Sequence, residues 1–385
     1  EAAHKAEAGD EETAHQARIA IAQKHEAATH HFLGDTPARD SVMAEINSLL
    51  DEFEALCHGI RVLGELTRRA LGVIGGFAGY LFPAIRTAQK TRDGLQPLLN
   101  ENKVAVVTGF IGATRDGIPT TLGRGGSDYS ATILGRALKA DEVWIWTDVN
   151  GVMTTDPRVV PEAHPISHLS YAEISELSFF GAKVLHSQAI RPARREGIPV
   201  RILNTFEPAH PGTLITAEAQ ESGKAVKAVT AIKNMSLVTV AGPGMAGIPG
   251  VAGRTFTAVA RTGTKVLMIS QGSSEQSICF VVPTPDVPRV VQSLELELVR
   301  EIERRDLEPV KWERDTVILA IVGAGMKGTP GISGQLFGAL GRERINVIAI
   351  AQGSSEFNIS LVVAQGDADR AVRIIHQQFE LEKPY

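Results

Sequence analysis

A glycine-rich segment occurs twice in this chain, and its spacing constrains the fold more than any other feature. GPGMAGIPGVAG at 242–253 returns as GAGMKGTPGISG at 323–334, and the QGSSE of 271–275 returns at 352–356. Both pairs lie 81 residues apart, with no gap between them. A constant offset over two separate motifs means two copies of one structural unit. Each copy reads strand, glycine-rich turn, helix, strand, turn, strand, helix. In the second copy these elements are expected at 317–322, 331–342, 346–351, 358–363 and 368–379. The order βαββα, completed by a neighbouring strand, is a ferredoxin-like half. Two copies predict two small sheets packed as a pair.

The repeated glycines also spell GxGxxG after a strand, at Gly242, Gly244 and Gly247 and again at Gly323, Gly325 and Gly328. That pattern marks dinucleotide binding only where a helix opens at once and an acidic residue ends the next strand. Here Pro249 and Pro330 delay the helix, and Gln271 and Gln352 end the strands. The glycines are expected to form a wide turn that lets backbone or ligand approach closely.

A length of 385 residues predicts two or three domains. With 39 basic and 44 acidic residues the net charge is −5, and no basic stripe points to nucleic acid. No apolar run approaches the roughly 18 residues of a membrane span. The opening EAAHKAEAGDEE lacks the basic start and apolar centre of a signal peptide. Cys57 and Cys279 cannot build a disulfide framework and read as small core residues. A cytoplasmic setting is the expectation.

Before the repeats, apolar residues at three-to-four spacing predict helices over 14–32, 40–57 and 60–71, with a turn at 34–37. The stretch 72–82 is apolar, glycine-rich and aperiodic. From 104 the pattern changes. A short buried strand is expected at 104–107, then a loop to Gly126, then a helix over 127–140 with Ala131, Leu134, Ala137 and Leu138 on one face. A strand at 142–146 leads into a long loop, 147–165. Ser170 and Glu173 form a capping box before a further helix. A helix over 183–195 and a strand at 199–203 follow, and 218–223 is a polar linker. Strands alternating with helices predict an α/β domain with a largely parallel sheet.

Three segments of this domain carry chemistry. Thr120–Ser130, TTLGRGGSDYS, is a glycine-rich loop opening directly into a helix, so its N–H groups and the positive helix end converge on one spot. Arg124 adds a planar fork suited to a carboxylate, and Asp128 could orient an attacking oxygen or a cationic amine. The same residues also suit a plain tight turn, with Ser127 as N-cap and Asp128 favouring the helix dipole. No GxxxxGK[ST] occurs, which excludes a classical P-loop. The second segment, TDVNGVMTTDPR at 147–158, begins at the end of a strand, where open α/β sheets bind ligands. It equally suits a surface loop held by Asx turns at Asp148 and Asp156. The third, GAKVLH at 181–186, sets Lys183 near a helix start, where a bound polyphosphate would relieve the like charges; a solvated lysine is the plain alternative. His164 and His168 are separated by Pro165 and are not expected to share a metal. Two anion sites and a lysine on one sheet edge suit phosphoryl transfer.

TTLGRGGSDYS, WTDVNGVMTTDPR and GAKVLH, in this order, resemble the aspartate kinases of the amino acid kinase family, and the repeats resemble the paired ACT regulatory domains that follow them. The resemblance is close from 104 to the C-terminus and looser over 14–69. It implies an α/β fold: an amino acid kinase-like, parallel-rich sheet between helices over 1–220, then two ferredoxin-like βαββα (ACT) units over 221–385. It implies ATP-dependent phosphorylation of the aspartate side-chain carboxylate to 4-phospho-L-aspartate, the first step toward lysine, threonine and methionine, with Mg2+ on the phosphates. By matched position, Arg124 and Asp128 are the implied catalytic residues, and Arg124, Ser127 and Asp128 hold aspartate. Arg124 takes its α-carboxylate and Asp128 its amine. Thr147, Asp148, Met153, Arg158 and Lys183 line the ATP site, Met153 replacing a frequent tyrosine.

Gln271 and Gln352 are the implied effector ligands, with threonine favoured over lysine, and a homo-oligomer through the ACT domains is expected. Two departures stand out. The family's KFGG-type opening and its Phe-Gly-Glu segment have no counterpart; the comparable stretch for the latter is GGFAGY at 75–80. The expectation is therefore a kinase domain incomplete on its N-terminal side. A non-catalytic ACT sensor is the alternative function, and a sister kinase for glutamate, acetylglutamate or a nucleotide is a third.

Overall fold

The computed structural model describes residues 87–114, 118–181, 185–186, 188–219, 224–245, 250–272 and 276–383. Residues 87–385 form one compact unit. The helices expected over 14–71, the apolar stretch 72–82 and Cys57 lie outside the described residues. So does Lys183.

A helix, α1, covers 87–100. The run 104–107 is not a strand: Val104 is 90% and Val106 96% exposed. An apolar run becomes a strand only beside a hydrogen-bonding partner, and none of the described strands pairs with it. The stretch expected as a loop to Gly126 instead forms a hairpin of β1 (Ile111–Ala113) and β2 (Pro119–Thr121). It leads into α2 (Gly126–Leu138). On α2 the buried residues are Gly126, Thr132, Gly135 and Ala137. Of the face expected from the sequence only Ala137 is fully buried, because small residues let β3 and the chain near Ala189 come close.

Among the described residues four strands form the sheet of this half: β3 (Val143–Thr147), β4 (His168–Ser170), β5 (Val200–Asn204) and β6 (Thr213–Thr216). Their order is β3-β5-β6-β4. The β3–β5 and β4–β6 pairs are parallel and β5–β6 is antiparallel, so the sheet is parallel-rich but mixed. Its core joins Val143, Ile145, Val200, Ile202 and Ile215 to the apolar side of α3 (Tyr171–Phe179). The capping box before α3 is present: the Ser170 hydroxyl accepts from the Glu173 N–H, and the Glu173 carboxylate accepts from the Ser170 N–H at 2.7 Å. Of the helix expected over 183–195, the described residues form α4 (Arg191–Glu196). Pro192, suited to a first turn, marks its start, and the described residues just before it form turns.

The repeats build β7 (Ala228–Ala241), α5 (Val251–Arg261), β8 (Met268–Gln271), β9 (Ser277–Pro283), α6 (Val287–Glu297) and a short α7 (Val299–Glu303). The second copy follows as β10 (Lys311–Val322), α8 (Ile332–Arg342), β11 (Ala349–Gln352), β12 (Asn358–Ala364) and α9 (Ala368–Gln378). Instead of two sheets packed as a pair, the copies share one six-stranded antiparallel sheet, β11-β12-β10-β7-β9-β8. The long first strands, β7 and β10, pair with each other along the middle. Each thus covers an edge that the other unit would leave unpaired. The sheet curls until its outer strands, β8 and β11, come against each other. Both faces of its centre are buried: on β10, Val317, Leu319 and Ile321 meet the helices of their own copy, while Ile318 and Ala320 face Met268, Ala349 and Phe180. This two-sided burial accounts for the continuous apolar run in β10.

The repeated glycines serve backbone contact. A Cβ on Gly242 would lie 2.3 Å from the Asp306 carbonyl oxygen, and one on Gly323 2.2 Å from that of Ala225. Asp306 leads toward β10 and Ala225 toward β7, so each copy's turn receives the entry strand of the other. The helices start late, after Gly250 and Gly331, both at positive φ. Among the described residues no helix is long and apolar enough to cross a membrane.

Candidate active site

The glycine-rich loop runs from β2 into α2 through Gly123 and Gly125, at φ 74° and 71°. A side chain would clash at Gly125 and at Gly126. A Cβ on Gly125 would sit 2.7 Å from the His186 Cβ, and one on Gly126 2.7 Å from the Phe110 ring. Ser130 locks the loop from the far side: its hydroxyl donates to the Gly126 carbonyl at 2.9 Å and accepts the Phe110 N–H at 3.1 Å. Gly125, not Ser127, is the N-cap, and it brings no side-chain bond. Ser127 is exposed on the first turn and Asp128 is half-buried beside it. Burial pushes the Asp128 carboxyl above its ordinary range, and His186 opposes the shift. An open helix start with Arg124 exposed before it is a competent site for a small anion.

The 147–165 loop leaves the end of β3 and is held firmly. Thr147 donates to Asp148 at 3.1 Å. Asn204 donates to the Asn150 carbonyl oxygen at 2.6 Å, and Asn150 donates to Glu207 at 2.9 Å. Gly151, at φ 123°, lies against Thr213, which accepts the Val152 N–H and donates to the Ile166 carbonyl. An Asx turn is present at Asp156, whose carboxylate accepts the Arg158 N–H at 3.0 Å. The same carboxylate takes the Arg158 guanidinium through two bonds of 2.9 and 2.6 Å. Turn stabilisation and presentation of a guanidinium are thus one arrangement.

These pieces border a single cavity of about 1310 Å³, lined by Arg124, Asp148, Met153 and Arg158 among others. It exceeds the roughly 300–1,000 Å³ of ordinary small-molecule pockets, and its lining carries both signs: Arg124, Arg158 and Lys233 against Asp148, Asp156 and Asp369. The structure therefore brings together four of the residues singled out in the sequence, with Thr147 next to Asp148 and Ser127 and Asp128 on the helix behind Arg124. Gln271 and Gln352 do not join them. They end β8 and β11, at equivalent exposed positions of the curled sheet. Cys279 is free and half-buried in β9, where burial pushes its thiol up. Among the described residues no three His, Cys, Asp or Glu side chains gather for a metal; His168 instead bonds Thr216 at 2.7 Å.

Three features of the site escaped the sequence. The far wall of the cavity comes from the repeats, through β7 residues including Lys233 and through Asp369 on α9. Lys233 and Asp369 pair across it at 2.7 Å. The loop is also pinned to the second repeat: the Thr154 carbonyl accepts the Val229 N–H, and its hydroxyl bonds His376 of α9 at 3.0 Å, fully buried. No local pattern marks His376, since its partner lies 222 residues away.

A kinase fold followed by paired regulatory units is the class these observations define. The chain belongs to the amino acid kinase family, whose sequence pattern it matches over residues 12–204, and it carries two ACT domains, matched over 238–298 and 319–379. It is 46% identical over 291 residues to the chloroplastic bifunctional aspartokinase/homoserine dehydrogenase of Daucus carota, which covers 74% of this chain and 32% of that protein. The chain thus spans about a third of the length of such relatives. E. coli aspartokinase III, solved in complex with lysine and aspartate, superposes with a TM-score of 0.69 at 28% identity, covering 96% of this chain and 86% of that one. The same enzyme in complex with aspartate and ADP gives 0.66 at 27% identity over the same shares.

Proposed function

We propose that this protein transfers the γ-phosphoryl group of ATP to the side-chain carboxylate of L-aspartate, giving 4-phospho-L-aspartate, under feedback control by an amino acid. The observation that carries the reading is the single cavity that unites Arg124 of the glycine-rich loop with Asp148, Met153 and Arg158 of the second loop. Kinship to aspartokinases supplies the substrate, and an E. coli relative crystallised with aspartate and ADP supports it. In this reading the kinase domain occupies 1–220 and the ACT pair 221–385.

Arg124 holds the aspartate α-carboxylate as a bidentate partner. Asp128 takes the ammonium group, and Ser127 closes the site. Thr147, Asp148, Met153, Arg158 and Lys183 receive the nucleotide. Mg2+ fits as the counter-ion of the phosphates, which supply most of its ligands together with water; Asp148 is an acidic candidate in the lining. When bound, the ion neutralises charge on the transferring group. Gln271 and Gln352 hold the effector, threonine ahead of lysine, since a side-chain amide serves both hydroxyl and charged groups. The chain acts as a homo-oligomer through its ACT domains.

The test is an assay of the full-length protein with ATP, Mg2+ and aspartate, trapping the acyl phosphate as a hydroxamate. Product formation supports the reading. Threonine binding without any product would leave a non-catalytic ACT sensor in its place.

A further inference from the structure

A second cavity, of about 420 Å³, opens between α3 and α4. It shares no lining residue with the nucleotide cavity. We infer that it binds a free α-amino acid with an apolar side chain, a site separate from Gln271 and Gln352.

The chemistry of the walls carries this. Arg191 and Arg194 of α4 line the cavity, and among the described residues neither guanidinium has a carboxylate partner. On the facing helix, Glu176 accepts from the Asn358 amide at 2.8 Å and has no cation beside it. Two unpaired cations and one unpaired carboxylate suit a zwitterion better than a polyanion, which Glu176 would repel. The carboxylate goes to the arginine forks and the ammonium group to Glu176.

Phe179, Phe180 and Ile190 give the cavity an apolar part. Phe179 and Phe180 meet edge to face at 4.9 Å, and Ile190 is 1% exposed. A branched or thioether side chain would bury its surface there. The volume matches a small metabolite, at the lower end of ordinary pockets.

Position gives the site a consequence. Asn358 begins β12 of the second repeat, while Glu176 and Arg191 belong to the kinase domain. A ligand held by both would shift the equilibrium toward whichever arrangement keeps them together, in proportion to its differential affinity.

Calorimetry of the full-length protein with L-leucine tests the inference. Saturable binding is expected. L-leucinamide, which lacks the carboxylate, should bind about tenfold more weakly or worse, as should L-leucine to the Arg191→Gln/Arg194→Gln variant. The Gln271→Ala/Gln352→Ala variant should bind L-leucine as the unaltered protein does. The inference is overturned by lack of saturable binding of L-leucine, L-methionine and L-phenylalanine, by equal binding of the amide, or by loss of binding in the glutamine variant. The amide comparison uses unaltered protein, so it decides the matter even if the arginine variant fails to fold. Binding is read without turnover, so a chain that binds leucine yet makes no acyl phosphate overturns the kinase reading alone.

Discussion

Glu173 and Lys227 form a fully buried ion pair across the seam between the kinase domain and the regulatory sheet. Their charged atoms lie 3.2 Å apart, with the side chains 0% and 2% exposed. The pair is well supplied with hydrogen bonds. Glu173 also accepts from the Ser170 N–H and hydroxyl and from the Ala324 N–H of the second repeat, while Lys227 donates to the His168 carbonyl. A capping-box glutamate thus ties α3 to a glycine turn 151 residues away.

The bonds to Glu173 set a stability prediction. Removing the carboxylate charge with Glu173→Gln takes the counter-charge from a buried ammonium and should cost roughly 3–5 kcal/mol. Lys227→Met should cost less, because Glu173 keeps three N–H or O–H donors. Urea unfolding of the two variants checks this; equal losses would mean that the backbone donors contribute nothing.

Burial holds the His376 imidazole below the ordinary histidine range, with His164 and Lys224 adding to the shift and Glu382 and Glu162 opposing it. His168 is shifted the same way by burial and by Lys227, against Glu173. Below a pH of about 6.5 the unfolded chain therefore binds protons that the folded chain refuses. The histidine contribution to stability should be complete above that pH and fall as the pH drops below it. Unfolding free energies measured along that range should slope downward, and His376→Gln should flatten part of the slope.

The two loops should separate kinetically. Arg124→Ala should raise the KM for aspartate about tenfold to a hundredfold while moving the KM for ATP little. Arg158→Ala should do the reverse. Steady-state kinetics with each substrate varied in turn gives both constants, and a shared pattern for the two variants would dismiss the assigned division.

Gln352→Ala should weaken inhibition by threonine and leave uninhibited turnover near normal, because the residue ends an outer strand away from the kinase cavity. Dose–response curves for threonine in both proteins measure it. Unchanged inhibition would put the effector elsewhere.

Much of this was readable from local pattern. The 81-residue offset marked the two units, and the observed strands and helices of the second copy fall on the expected stretches, since period and turn residues are local properties. The Ser170–Glu173 box was legible for the same reason. Other features depend on partners far along the chain. The run 104–107 has the composition of a strand yet pairs with none of the described strands. Small residues such as Gly135 and Thr132 proved to be the contact face of α2, because what a helix packs against decides how close it must come.

The sequence by itself determined the family motifs, the doubled unit and the order of elements within it, because these rest on short-range spacing and residue chemistry. Only the tertiary structure decided that the two units would merge into one curled sheet. It alone set β7 and α9 as a wall of the kinase cavity and joined Glu173 to Lys227 and Thr154 to His376. Each of these joins groups distant in sequence, and burial makes such pairs matter: a charge or hydroxyl removed from water must find its partner inside the protein, wherever along the chain it lies.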